Sequence, residues 1–452
     1  MTDTLSFAER FAERVLWRPE IDSALTVGLC RFVFPLSRAW AAVLAARDAT
    51  AAARSLGLDR VPGSLERALP ALHVRQALYR DTETDFQAAL FGGGDAHAVV
   101  GTGERRDRAA LALVRGRAAL ATVPLLNRYA PVRWEIATAA EVEARHGHRR
   151  LACPDAFSLP DPAPPIEVSP AVVRQGRKER WLRMTSPVLG DDAWAHVVEP
   201  ADRGPRPTVV LCDGLFMEPE FWHDTRDCLS LLVAAGFRYW RSAAPWLGRR
   251  RPDGWFGGEP VLGRAPISIL DFFHAAPLEA GLWIAKARAL YGGPVALGGV
   301  SMGALVAETA AAAATGWPAA SVPDGLFLVT PGGDLPRVAL EGSLTCGLGF
   351  DLALADAGWD EPALRDWLAL VAPESAPAVP GERIVAVLGE EDRLTHYADA
   401  AELLRRWRAP DENVFEGPQG HFTTNLRLLT DRRPFHRLWD VLARVGAGAH
   451  AA

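Results

Sequence analysis

The apolar run Pro294-Val295-Ala296-Leu297 leads into Gly299-Val300-Ser301-Met302-Gly303, and an alanine-rich segment from Ala304 to Ala314 leads out. That order predicts a strand, a sharp turn and a helix, with a serine at the tip of the turn. Small residues on both sides let the backbone pass without clash. A serine hydroxyl is a weak nucleophile and has to be held in the open beside a base, which such a turn does. The same turn brings the backbone N–H of Met302 to the start of a helix, where an oxyanion would form. With 40 glycines in the chain, a small-x-Ser-x-small string also arises by chance, so its weight depends on what surrounds it.

At 452 residues the chain is long enough for two domains, or for one large domain with an extension. It is 49% hydrophobic and 23% charged, the balance of a globular protein with a substantial core. A net charge of -6 argues against a general nucleic-acid binder. The five cysteines (Cys30, Cys153, Cys212, Cys228 and Cys346) are scattered and form no CxxC pair. They fit reduced core residues of a cytoplasmic protein, and neither a disulfide framework nor a zinc site. Ala24 to Ala46 is apolar over a spanning length, but Arg31, Pro35 and Arg38 interrupt it. A buried or kinked pair of core helices is expected there, with a peripheral membrane contact as the alternative.

The tandem Phe7-Ala8-Glu9-Arg10 and Phe11-Ala12-Glu13-Arg14 aligns Phe7, Phe11 and Val15 on one helix face. Helical patterns, with loops between them, continue to about residue 152, and His146-Gly147-His148 reads as an exposed loop. Prolines 154, 160, 162, 164, 165 and 170 make 153–170 a stiff connector. Residues 171–452 then alternate strands and helices. The segments 181–184 and 193–198 read as an antiparallel pair. Further strands are expected at 207–212, 237–243, 294–297, 325–329, 383–388 and 412–415, with helices at 218–235, 266–290 and 433–445. The alternation predicts a mostly parallel sheet covered on both faces. Between two strands, 332–380 is the place for a small helical cap.

In such a sheet ligands sit beyond the carboxyl ends of the strands. After strand 383–388 comes Gly389-Glu390-Glu391-Asp392-Arg393-Leu394-Thr395, and after 412–415 comes Glu416-Gly417-Pro418-Gln419-Gly420-His421-Phe422. With Ser301 these give serine, acid and histidine in that chain order. Ser301 would attack an acyl carbon, His421 would take its proton, and Asp392 would fix the imidazole. Glu390 and Glu391 compete for the acid role, and His396 and His436 for the base. A second oxyanion donor is expected from Asp213-Gly214-Leu215-Phe216-Met217-Glu218, through the N–H of Leu215 or Phe216. Phe216, Phe221 and Trp222 could line an acyl pocket or pack the core. Arg249 and Arg250, with Arg251 in one run beside aromatics, could bind a substrate phosphate or carboxylate or form a solvated charge run.

Residues 180–445 resemble an α/β-hydrolase-fold domain, through GVSMG at 299–303, the GEED loop ending at Asp392, and QGH ending at His421. Within it, 211–304 is similar to the branch typified by α/β-hydrolase domain-containing protein 18. There a strand is followed by a Gly-Asp-type turn with a nearby Phe-Trp, and later by a Pro-x-x-Gly-x-Arg-basic-Pro loop. Leu215 to Trp222 and Pro245 to Pro252 match that layout, although the turn here reads Asp213-Gly214 and Ala304 stands where glycine is usual. The resemblance implies serine-hydrolase chemistry on small-molecule or lipid acyl esters, with no metal or organic cofactor. An acyltransferase using the same residues and a non-catalytic binding protein of this fold are the competing readings.

Overall fold

The protein is described by a computed structural model covering residues 18–126, 131–151, 156–174, 176–201, 204–216, 231–372 and 376–449. The tandem Phe-Ala-Glu-Arg repeat, Cys153, Phe221, Trp222 and Cys228 lie outside the described residues. Of the helix expected at 218–235, Leu231–Ala234 is described.

One sheet organises the molecule. Its strands are β1 (Glu167–Val168), β2 (Val172–Arg174), β3 (Arg177–Thr185), β4 (Asp192–Pro200), β5 (Thr208–Cys212), β6 (Arg238–Ser242), β7 (Val295–Val300), β8 (Gly325–Val329), β9 (Ile384–Val387) and β10 (Val414–Phe415). They run in the order β1-β3-β4-β6-β5-β7-β8-β9-β10, with β2 also paired to β3. Pairs from β6 through β10 are parallel. β3 and β4 form the expected antiparallel pair, and β4 joins β6 antiparallel. β1, from inside the proline-rich stretch, pairs with β3.

Every residue of β5, β7, β8 and β9 is buried, which is why they read as unbroken apolar runs. Their side chains alternate between two cores. Val210 and Leu297 join the core under helices Ile267–Tyr291 and Met302–Ala313. Val209, Leu211, Phe327 and Val385 join the core under the C-terminal helix Arg433–Ala449, with Phe435, Leu438 and Leu442.

The N-terminal part is helical. Pro19–Gly28, a π-helical turn at Leu29–Val33 and Phe34–Ala45 follow one another, then Gly63–Phe91 packs against Ala96–Arg115. Two described helical stretches, Pro19–Ala45 and Ile267–Tyr291, are long and apolar enough to cross a membrane, and 61% and 89% of their apolar windows are buried inside the protein. Trp40, Ala41 and Val43 belong to the same core as the sheet residues Val210 and Leu297. Arg38 is buried on the Glu259 carboxylate at 2.9 Å and donates to the Gly254 carbonyl at 2.7 Å. Glu259 also accepts the N–H groups of Phe256 and Arg133 at 3.0 and 2.8 Å. Burial pushes its carboxyl above the usual range against the pull of Arg38. A cation that would be costly in a bilayer is thus paired within the protein.

The expected loop at His146 is instead part of the helix Ala139–Leu151, and His146 is buried with Nε2 3.4 Å from Asp271. Packing against Ile267–Tyr291 overrides the turn preference of the His-Gly-His string. Between β8 and β9 the cap is four short helices, Leu335–Glu341, Ser343–Leu348, Phe350–Asp356 and Glu361–Leu368. Trp359 ties the cap to the N-terminal part through its indole N–H, which donates to the Ala137 carbonyl at 2.7 Å.

Candidate active site

Ser301 stands between β7 and the helix Met302–Ala313 with φ 56° and ψ −122°. This left-handed φ is uncommon for a residue with a Cβ and marks local strain. Two glycines make the turn feasible. A Cβ on Gly299 would fall 1.9 Å from the Gly303 carbonyl oxygen, and one on Gly303 would fall 2.0 Å from the Cys212 carbonyl oxygen. The alanines beyond serve the same closeness, since Ala304, Ala307, Ala310 and Ala311 are fully buried.

The loops after β9 and β10 bring the other two groups to the serine. His421 Nε2 is 2.8 Å from Ser301 Oγ, and His421 Nδ1 is 2.7 Å from Asp392 Oδ2. Glu390 and Glu391 are exposed, whereas Asp392 is buried. Asp392 accepts from the N–H of Leu394 at 2.8 Å and of Thr395 at 3.1 Å, and from the Thr395 hydroxyl at 2.9 Å. Burial opposes its charge, but the facing His421 and these donors hold its carboxyl below the usual range. The rivals stand elsewhere in the chain's elements: His396 immediately precedes the helix Tyr397–Arg406, and His436 lies within Arg433–Ala449.

Met302 is the first residue of its helix, so its N–H has no acceptor inside that helix. Leu215 lines an apolar cavity together with Ser301 and Met302, walled further by Ile269, Phe273, Leu305 and Val338. Phe216 has a φ of 63°, and its ring packs on Phe34 and Phe256 with centroids 4.4 and 5.7 Å away. Gly258, with φ 79°, lets this turn sit close, because a Cβ there would be 3.1 Å from the Phe216 nitrogen. His421 lines a second, more polar cleft with Glu20, Asp22, Ser23, Glu391 and Arg393. Trp222 lies outside the described residues.

Arg249 and Arg250 are both held by carboxylates within the protein. Arg249 bonds Glu83 at 2.6 Å and lies over the Phe86 and Trp194 rings. The Arg250 side chain is 1% exposed. It bonds Glu279 at 2.7 and 2.9 Å and Asp191 at 2.9 and 2.8 Å. Burial opposes its charge, and the two carboxylates more than restore it. Neither arginine borders the cavity or the cleft at Ser301. Among the described residues no group of three or more His, Cys, Asp or Glu side chains could hold a metal ion.

Three contributors escaped the sequence reading: Thr395, Asp22 and Glu308. Glu308 is fully buried on the Ser301 helix and accepts the N–H groups of Gly332 and Gly333, at 3.2 and 3.1 Å, where the chain leaves β8 for the cap. Burial raises its carboxyl from 4.5 to about 8, against the two N–H bonds. The folded state therefore holds this proton more tightly than the unfolded chain. Its contribution to stability is full below about pH 4.5 and is lost as the pH rises toward 8. In urea unfolding at pH 5 and pH 8, Glu308→Gln is expected to lose less stability between the two values than the wild type.

No family model matches the chain, and no curated protein does. Solved structures do. Acetyl xylan esterase 1 from Thermoanaerobacterium is 14% identical over 62% of this chain and 93% of its own, with a TM-score of 0.45. Brefeldin A esterase, a bacterial homologue of human hormone-sensitive lipase, is 17% identical over 69% and 86%, with a TM-score of 0.40. Oligopeptidase B from Leishmania major is 16% identical with a TM-score of 0.42, and its match takes in 59% of this chain but only 37% of that longer protein. The parallel strands with an antiparallel β4, the serine on the turn after β7, and the order Ser301, Asp392, His421 after β7, β9 and β10 give this protein the α/β-hydrolase fold.

Proposed function

We propose that the protein is a serine hydrolase that cleaves carboxylic esters of apolar acids through an acyl-enzyme. The observation that carries this reading is the unbroken line Ser301 Oγ, His421 Nε2, His421 Nδ1, Asp392 Oδ2, with links of 2.8 and 2.7 Å, opening onto an apolar cavity. As the ester carbonyl carbon meets Ser301 Oγ, His421 accepts the hydroxyl proton and the carbonyl oxygen becomes an oxyanion. The Met302 N–H is the first donor to that oxyanion, and a backbone N–H of the Leu215-Phe216 turn is the second. The alcohol leaves with the proton from His421, and the acyl group stays on Ser301. Water then enters, gives a proton to His421 and bonds the acyl carbon through its oxygen; Ser301 Oγ leaves with that proton and the acid is released. Asp392 remains ionised and keeps Nδ1–H directed at itself, which fixes Nε2 toward the serine.

The two cavities divide the substrate. The acyl part meets Leu215, Ile269, Phe273 and Leu305, where no charged side chain stands. The leaving alcohol is on the side of the polar cleft, because His421 borders that cleft and supplies the departing proton. A series of p-nitrophenyl esters from acetate to palmitate tests the assignment. Rising kcat/KM from acetate toward longer acyl chains is expected; a maximum at acetate would remove lipid-like acyl esters from the reading.

A further inference from the structure

The helix that carries the histidine, His421–Arg427, begins after Gly420, which has no side chain with which to cap it. A helix start leaves its first N–H groups without acceptors, and the second and third are normally taken by a side chain of the residue just before the helix. Here they are taken from the other end of the protein. Asp22, on the helix Pro19–Gly28, accepts from the N–H of Phe422 and from the N–H of Thr423 at 3.3 and 3.4 Å. The Thr423 hydroxyl also donates to Asp22 and accepts the Gly420 N–H at 3.0 Å. The residues on both sides of His421 are thereby held by one carboxylate and its threonine relay.

Two further observations fit this arrangement. Asp22 is itself buried, at 7% exposure. Gly420 is cut to fit it, since a Cβ there would lie 2.5 Å from the Asp22 carboxyl carbon. Burial raises the Asp22 carboxyl above its usual range, against the pull of its hydrogen-bond donors and of His421. Asp22 makes no hydrogen bond to the imidazole or to Ser301 in this arrangement; what it touches is the backbone that aims the ring.

We infer that Asp22 is a positioning residue, which clamps the turn bearing His421 so that Nε2 meets Ser301. The inference rests on the serine-hydrolase reading above. It gives the helix Pro19–Gly28 a part in catalysis that acts through the turn bearing His421. A displacement of about 1 Å at a reacting group costs on the order of 10²-fold in rate. Asp22→Ala in the full chain is therefore expected to lower kcat on p-nitrophenyl butyrate by about 10²-fold. The dependence of KM on acyl chain length should be unchanged, since no part of the clamp borders the acyl cavity, although Asp22 lines the polar cleft on the leaving-alcohol side.

Asp22→Asn keeps one acceptor oxygen for the Phe422 N–H, and is expected to recover about tenfold of that loss. A purely structural role would reduce the amount of folded enzyme and leave kcat per folded molecule alone. Counting active sites with a fluorophosphonate probe separates the two: labelling should go to completion in Asp22→Ala but more slowly. Wild-type kcat in folded Asp22→Ala overturns the inference, as does a loss that only tracks the unfolded fraction. Should Asp22→Ala fail to fold, Thr423→Val, which removes the relay and leaves the carboxylate, is held to the same two criteria. A wild-type protein that neither hydrolyses esters nor labels overturns the hydrolase reading and the clamp with it. An active wild type with indifferent variants overturns the clamp alone.

Discussion

Ser301→Ala is expected to lower kcat by about 10⁴–10⁶-fold while leaving the fold and its stability nearly unchanged. The hydroxyl removed is the atom His421 faces at 2.8 Å, and a methyl group cannot give it a proton or form an acyl bond. His421→Ala should cost about as much, because members of such a set act as a unit and their losses do not add. Asp392→Asn should fall by about 10⁴-fold. An asparagine can offer its NH₂ to Nδ1, which places the ring's proton on Nε2 and spoils it as a base toward Ser301. The measurement is kcat on a p-nitrophenyl ester, paired with fluorophosphonate labelling. Ser301→Ala that still hydrolyses at the wild-type rate would place the chemistry elsewhere. A wild type that does not label at all would favour a binding protein built on this fold.

The second large effect concerns Arg250, and it should appear in stability rather than in activity. Arg250→Met leaves Glu279, at 1% exposure, without its cation in the interior. Removing one partner of a buried pair costs about 3–5 kcal/mol, because the remaining charge is left desolvated and unpaired. Urea unfolding should show that loss, with KM on the esters unchanged. Replacing both partners, as Arg250→Met with Glu279→Leu, should return much of it. A rise in KM at unchanged stability would instead restore Arg250 to substrate binding.

Arg250 also shows where sequence reading reaches its limit. The central strands of the sheet were legible because full burial writes itself into short apolar runs such as Val209-Val210-Leu211 and Leu326-Phe327-Leu328, whereas the short, partly exposed β1 and β2 carry no such run. Ser301, Asp392 and His421 could be singled out because Ser301 directly follows one such run and the other two stand in the short loops after β9 and β10, so the search needs only the strand ends. Arginines are different. Whether a run of them is solvated, binds a ligand or is buried depends on which carboxylates the fold delivers, and those of Arg249 and Arg250 are 166, 59 and 29 residues away along the chain. Asp22 left no local trace either, since nothing around Pro19 to Thr26 refers to a glycine-led helix near the other terminus. His146 was misread for a related reason: the glycine beside it suggests a turn, and only the opposing Asp271 makes a buried helix worthwhile.

The contact between Asp22 and Phe422 joins residues 400 positions apart. Closing so long a separation comes late in folding, after the local helices and the sheet have condensed. During synthesis the N-terminal helices emerge first and wait for the turn that they will hold. A nascent or C-terminally clipped chain that lacks residues 421–449 is missing His421 and also Phe435, Leu438 and Leu442, so it loses the candidate base together with one side of the core. Under the proposed reading the same C-terminal segment completes both the core and the site, so ester cleavage is expected only from chains that reach the final helix.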